Sequence, residues 1–283
     1  MLKPGPADWW GRTPITLFVW AERGGRMSSN SVELDRVTLV FSDSNGDPVL
    51  AVDDVSLEVP QGQFLAIVGP SGCGKTTILN MLSGLITSTL GDVIKGGQLV
   101  KGPSLDVGYM LARSALFPWR TARRNVELPM EIRGVPKAER RRRADELLDM
   151  VKLSDFKNKY PSQLSQGMRQ RVAIARTLAI EPKLWLLDEP FSALDAQTRI
   201  TVQNEFLRLW ENSGSTVILV THDLAEAVLL ADRVIVMTAR PGRIKLDQMI
   251  DIPRPRRVDD LLDDEYFMHL EATIWKELRD ELV

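Results

Sequence analysis

The run Gly69-Pro70-Ser71-Gly72-Cys73-Gly74-Lys75-Thr76-Thr77 has the residue types and the spacing, G-x-x-x-x-G-K-[ST], that can cradle a phosphate chain. It directly follows the apolar run 64–68, which reads as a strand buried on both faces, and directly precedes a helical pattern over 76–85. The glycines let successive backbone N–H groups turn inward around a β-phosphate, and a helix N-terminus adds a favourable dipole. Lys75 has the reach for β- and γ-oxygens, and the Thr76 hydroxyl suits Mg²⁺. A glycine-rich turn without a ligand is the bland alternative, and the flanking strand and helix weigh against it. Cys73, inside the loop, reads as a small filler; a bulky reagent on its thiol is expected to block nucleotide binding.

Two further groups of side chains fit the same chemistry. Leu184-Trp185-Leu186-Leu187-Asp188-Glu189-Pro190 is an apolar strand ending in adjacent carboxylates. Asp188 is expected to hold Mg²⁺ through water, and Glu189, on the other face of an extended chain, to polarise the attacking water. His222 stands just beyond a second apolar strand, 216–220. Both strands would end on one edge of a parallel sheet, where ligands bind, which makes His222 a candidate γ-phosphate sensor.

The elements that must position these groups alternate between strand and helix. Runs 32–41 and 49–59 read as strands around a polar turn at 42–48, and strand signals return at 184–187, 216–220 and 233–237. Between them, 121–177 is helical and rich in Arg, Glu, Leu and Ala. A βαβ alternation interrupted by a helical insert predicts a mostly parallel sheet carrying an α-helical subdomain. After Pro253-Arg254-Pro255, the residues Phe267, Leu270, Ile274, Leu278 and Leu282 recur at helical spacing, as in an amphipathic helix packed on its own domain.

Composition excludes several classes. The 283 residues carry 36 basic and 38 acidic side chains, so no nucleic acid is expected as partner. The cluster Arg140–Arg143, flanked by Glu139, Asp145 and Glu146, reads as an ion-paired helix face. A single cysteine excludes an intramolecular disulfide and a cysteine-based zinc cluster, and fits a reducing compartment. No apolar run approaches the ~18 residues a membrane-spanning helix needs. Ile15–Trp20 is too short, and too poorly flanked, for a secretory signal; 1–30 reads as a disordered extension, or as sequence upstream of a start at Met27.

Leu164-Ser165-Gln166-Gly167-Met168-Arg169-Gln170-Arg171 heads a helix upstream of Leu187–Pro190, and Ser192-Ala193-Leu194-Asp195 follows. With the phosphate loop and His222 these segments resemble, in order, the Walker A, signature, Walker B, D-loop and H-loop of the ATP-binding-cassette ATPases, over about 31–245. The resemblance implies a P-loop NTPase (RecA-like) α/β core with a mostly parallel sheet, an antiparallel β subdomain and an α-helical signature subdomain at about 113–177. The cassette domain would span 31–250, and 251–283 would be a helical tail. It also implies ATP and Mg²⁺ as ligands, and two copies paired head to tail. Ser165 and Gly167 would then touch the γ-phosphate across the interface, Asp195 would report between the two sites, and Phe41 would stack on adenine.

The stretch 108–121, containing Phe117-Pro118-Trp119-Arg120-Thr121, then Asn125-Val126 and Arg133–Pro136, is similar to importer ATPases of the nitrate/sulfonate/taurine/bicarbonate class. That implies transmembrane permease subunits and, indirectly, a solute-binding protein as partners, at the cytoplasmic face of the inner membrane. Phe117 and Trp119 are then either core residues or part of a groove for a permease's coupling helix. Two positions depart from the family pattern. Gln166 replaces a glycine between the two signature contacts, with little consequence expected. Ala112 stands where the Q-loop glutamine belongs and offers no oxygen, so slow hydrolysis is expected. A soluble or regulatory cassette with weak turnover is therefore the alternative. A GTPase is excluded because Asn158-Lys159-Tyr160-Pro161 lacks the aspartate of N-K-x-D.

Overall fold

The computed structural model describes residues 32–257, 261 and 264–281. The N-terminal extension and Leu282 lie outside the described residues.

A six-stranded sheet of order β10-β9-β3-β8-β7-β6 forms the centre. Its strands are β3 (Phe64–Val68), β6 (Val107–Met110), β7 (Leu184–Asp188), β8 (Thr216–Val220), β9 (Arg233–Met237) and β10 (Ile244–Met249). All neighbours pair in parallel except β10, which runs antiparallel to β9 at the edge. Every residue of β3, β7 and β8 is buried, because each face of the sheet is covered. Alternation along β3 assigns its side chains to different cores. Leu65 and Ile67 join Ile78, Leu79 and Leu82 of α1 (Lys75–Leu82), whereas Phe64, Ala66 and Val68 join the helices of the opposite face.

The second sheet is antiparallel, of order β2-β1-β4-β5, made of β1 (Val32–Ser42), β2 (Pro48–Val59), β4 (Leu90–Lys95) and β5 (Gln98–Leu99). Its inward residues Val32, Leu34, Val37, Val52, Val55 and Val93 pack in the same core as α1. Helix α1 is shorter than the helical pattern suggests. Gly84 takes a left-handed φ of +77°, with Gly84 N–H donating to Met81 O and Leu85 N–H to Asn80 O, which closes the helix at its C-terminus.

The insert comprises α2 (Ala122–Ile132), α3 (Lys137–Met150) and α4 (Gln166–Leu178). Arg142 pairs with Glu146 of the same helix at 2.6 Å, as expected, whereas Arg143 pairs with Glu181 beyond α4 and Arg140 with Glu127 of α2. Helices α5 (Ala196–Glu211) and α6 (Leu224–Leu230) follow β7 and β8. The tail helix α7 (Glu265–Arg279) buries Phe267, Leu270, Ile274 and Leu278 against this same domain. Arg256 fixes the approach to α7 by donating to five backbone carbonyls, those of Val228, Leu229, Ala231, Ile250 and Ile252.

Candidate functional site

The loop after β3 and the ends of β7 and β8 border one cavity of about 480 Å³. Its lining includes Phe41, Ser71, Gly72, Gly74, Lys75, Thr76, Thr77, Asp188, Glu189 and Arg240. The loop cannot be built from other residues at two places. Gly74 has φ +103°, and a side chain there would strike Val52 Cγ2 and Ala51 O. Gly69 lies within 2.9 Å of Cys73 Sγ when given a Cβ. Lys75 lies along its own loop, its Nζ donating to the carbonyls of Gly69 and Pro70 at 2.8 Å each. The ammonium is thus held at the centre of the cradle.

Thr76 Oγ1 donates to Asp188 Oδ2 at 2.9 Å, joining the helix start to the end of β7. Burial pushes the Asp188 carboxyl above its ordinary pKa and the adjacent Glu189 charge adds to this, while the Thr76 hydroxyl and Lys75 act in the opposite direction. Glu189 departs from the extended conformation expected for it. Its φ is +48°, a left-handed value uncommon outside glycine, and its N–H is fixed to Val220 O at 2.9 Å. That turn brings Glu189 Oε1 to 3.3 Å from His222 Nδ1. The strand ends therefore do meet, through a bend that an extended chain would not supply.

The signature residues stand elsewhere. Ser165 N-caps α4, its Oγ accepting from Met168 N–H at 3.2 Å, and Gly167 rests against Ala193 O. Asp195 N-caps α5, and the N–H of Thr198 holds its carboxyl below the ordinary range. Ser165, Gly167 and Asp195 do not line the cavity, and Ser165 and Asp195 are exposed. Gly69, Pro70, Cys73 and His222 are also outside the lining. Cys73 is fully buried, and that burial raises its thiol pKa.

Several residues that pattern reading passes over complete the site. Gln170, buried in α4, donates to Glu189 O at 3.2 Å and Pro190 O at 3.0 Å, tying the signature helix to the bend after β7. A polar residue one turn into an otherwise apolar helix face was the available signal. Arg199 bridges Leu194 O and Asp223 Oδ2, linking the segment before Asp195 to the one after His222. Asn125, wholly buried, accepts from Phe117 N–H and donates to the carbonyls of Phe117, Arg120 and Thr121. This clasp presents Phe117 and Trp119 as an edge-to-face pair 5.4 Å apart on the surface, with Trp119 71% exposed. Core packing is therefore excluded for Trp119. Ala112 is exposed and outside the cavity lining, while Arg176 holds the following backbone at Ser114 O and Ala115 O.

A phosphate loop feeding α1, flanked by a strand-end Asp-Glu pair and a histidine, defines a P-loop NTPase. The family model for ABC transporters matches residues 52–192. An ABC transporter ATP-binding protein of Methanocaldococcus jannaschii, MJ0412, is 50% identical over 80% of this chain and 84% of its own length. The taurine import ATP-binding protein TauB of Roseobacter denitrificans is 46% identical, over 75% of this chain and 80% of its own. The bicarbonate transport ATP-binding protein CmpC of Synechococcus elongatus is 42% identical over 86% of this chain but 37% of its own length. Among solved structures, the dimeric post-hydrolysis state of the ATP-binding cassette MJ0796 with ADP and Pi superposes with a TM-score of 0.72. It is 34% identical and covers 78% of this chain and all of that one. The chain belongs to the ABC transporter family, as an ATP-hydrolysing cassette.

Proposed function

We propose that two copies of this chain pair head to tail and use ATP hydrolysis to drive a membrane importer for a small anionic solute of the nitrate, sulfonate, taurine or bicarbonate kind. The observation that carries the pairing is the separation just described. Ser165, Gly167 and Asp195 are kept off the chain's own cavity, and Ser165 heads a helix whose N-terminal N–H groups suit an anion. A second copy would bring that end onto the γ-phosphate. TauB and CmpC, by their names, serve taurine and bicarbonate transport, which supports the solute class. No helix among the described residues is long and apolar enough to cross a membrane. In this proposal the path for the solute is formed by separate permease subunits, to which a solute-binding protein delivers. The exposed Phe117–Trp119 pair is the proposed contact for the permease, with this subunit at the cytoplasmic face of the membrane.

In this reading the N–H groups of 69–77 enclose the β-phosphate, Lys75 leaves the Gly69 and Pro70 carbonyls for the β- and γ-oxygens, and Phe41, 40% exposed at the cavity edge, stacks on adenine. Thr76 and Asp188 offer two oxygens 2.9 Å apart, one of them a buried carboxyl that a cation would ionise, so this pair fits Mg²⁺. A cation held by this pair would supply neutralisation of the phosphate charge. Glu189, held by the bend and by His222, accepts a proton from the attacking water, and His222 reports the γ-phosphate. Asp195 relays between the paired sites.

Steady-state hydrolysis of Mg-ATP by the purified chain, with Glu189→Gln as control, tests this. Turnover lost in the control, with ATP-dependent dimers seen by size-exclusion chromatography, is the expected outcome; turnover that persists in the control would refute the assignment of Glu189. A regulatory cassette with weak turnover is the second reading, and Ala112 favours it. Binding without hydrolysis in the purified chain would select it.

A further inference from the structure

We propose that Arg240 is a nucleotide-binding residue, the second cation of the pocket, acting on the part of the ligand that ATP and ADP share. This deepens the nucleotide-site reading above and rests on it. Among the residues lining the cavity, only Lys75 and Arg240 are cationic, against the carboxylates of Asp43, Asp188 and Glu189. A nucleoside triphosphate carries more negative charge than Lys75 and one divalent cation neutralise, so a second side-chain cation within reach matters.

The turn between β9 and β10 is built to hold that guanidinium beside the loop. Gly242 presses so closely on the phosphate loop that a Cβ there would overlap Cys73 O. Gly242 also exchanges backbone hydrogen bonds with β2, its N–H donating to Ala51 O and its O accepting from Asp53 N–H, each at 3.0 Å. On the other side, Ala239 N–H donates to Glu281 Oε2 at 2.8 Å, and Lys245 pairs with Glu281 at 2.9 Å, so the end of α7 braces the same turn.

The neighbouring arginines are spoken for. Arg243 pairs with Asp53, and Arg233 forms a two-pronged pair with Asp247. Arg240 makes no ion pair among the described residues. Its Nε and Nη2 reach only the carbonyl of Gly72, at 3.4 and 3.3 Å, long and weak contacts that an anion would displace. The contacts of Arg240 are to Gly72 at the first turn of the loop and none is to Asp188, Glu189 or His222, so its ligand is the α/β-phosphate and ribose portion rather than the γ-phosphate.

Arg240→Ala and Arg240→Lys test this by titration of the full chain with Mg-ATP and Mg-ADP at two salt concentrations, read by calorimetry. Loss of one charge-assisted hydrogen bond predicts about a tenfold rise in Kd for both nucleotides in Arg240→Ala, with partial recovery in Arg240→Lys. The variant's affinity should also depend less on salt. Unchanged thermal unfolding of the nucleotide-free variants separates a binding effect from a folding one. Parent-like Kd values in Arg240→Ala overturn the proposal while leaving the pocket intact, and a loss confined to ATP overturns the assignment to the shared portion. A parent chain that binds neither nucleotide instead refutes the underlying site reading.

Discussion

The two halves of the ATPase chemistry are built to different degrees within one chain. On the phosphate-loop side, Lys75, Thr76, Asp188 and Glu189 line one cavity and touch one another or their own backbone, and His222 reaches Glu189 from just outside the lining. On the signature side, Ser165 and Asp195 spend their side-chain oxygens on capping α4 and α5 and face solvent. The first half is complete because three parallel strands end together and deliver their side chains to one edge. The second half is split between the start of α4 on the insert and the start of α5 after β7, and in the proposed pairing another copy would supply its ligand. Both helix starts are capped within the chain itself, by Ser165 and by Asp195.

That contrast can be broken from either side. The largest effect is expected at the complete half: Glu189→Gln should lower turnover by about 10²- to 10⁴-fold, the usual contribution of a positioned base, while ATP binding measured by calorimetry stays near that of the parent. At the incomplete half, Ser165→Asp should keep the cap on α4, since aspartate caps as well as serine. Its added charge would repel a γ-phosphate presented by a second copy, so ATP-dependent dimers should disappear from size-exclusion profiles while one-to-one ATP binding persists. Loss of both would contradict the separation of roles.

Glu226 offers a test of how the segment after His222 is held. It is 5% exposed, its Oε1 has no hydrogen-bond partner among the described residues, and burial together with the Asp223 charge pushes its pKa up to about 8 from 4.5. The folded state therefore keeps a proton that the unfolded chain releases near pH 4.5. The stabilising protonation is fully present below that value and is lost as pH rises to about 8, beyond which the penalty is constant. Glu226→Gln should remove this slope and raise the thermal midpoint at pH 9 relative to the parent, with little change at pH 4; equal midpoints at both would overturn it. The smallest effect is expected for Ala112→Gln, which restores an amide oxygen to the loop after β6. A severalfold rise in steady-state hydrolysis supports a deficit at this position, and an unchanged or lower rate counts against it.

Much of this was legible because the chemistry is local in sequence. The loop 69–77 announces itself by glycine spacing, and β3, β8 and β9 were readable as unbroken apolar runs, the mark of strands covered on both faces. The stripe of α7 was legible for the same reason of periodicity. What escaped depended on contacts across long stretches of chain. The bend at Glu189 is invisible in Leu187-Asp188-Glu189-Pro190, because a left-handed φ at a glutamate is imposed by its hydrogen bond to β8. Trp119 looks like a core residue by type, and only the clasp of Asn125 shows why it lies outside. Nothing in Ala239-Arg240-Pro241-Gly242 marks Arg240 as a cavity residue, because only the close approach of Gly242 to Cys73 sets it beside the phosphate loop.

The sequence by itself determined the class of chemistry, since a phosphate cradle needs glycines, a lysine and a hydroxyl at fixed spacing along one strand-to-helix turn. It also determined the alternation that makes a parallel sheet. The tertiary structure alone decided which charges share a cavity and which stand apart, because Arg240, Glu281 and the signature residues are brought near or kept away by packing between segments far apart in the chain.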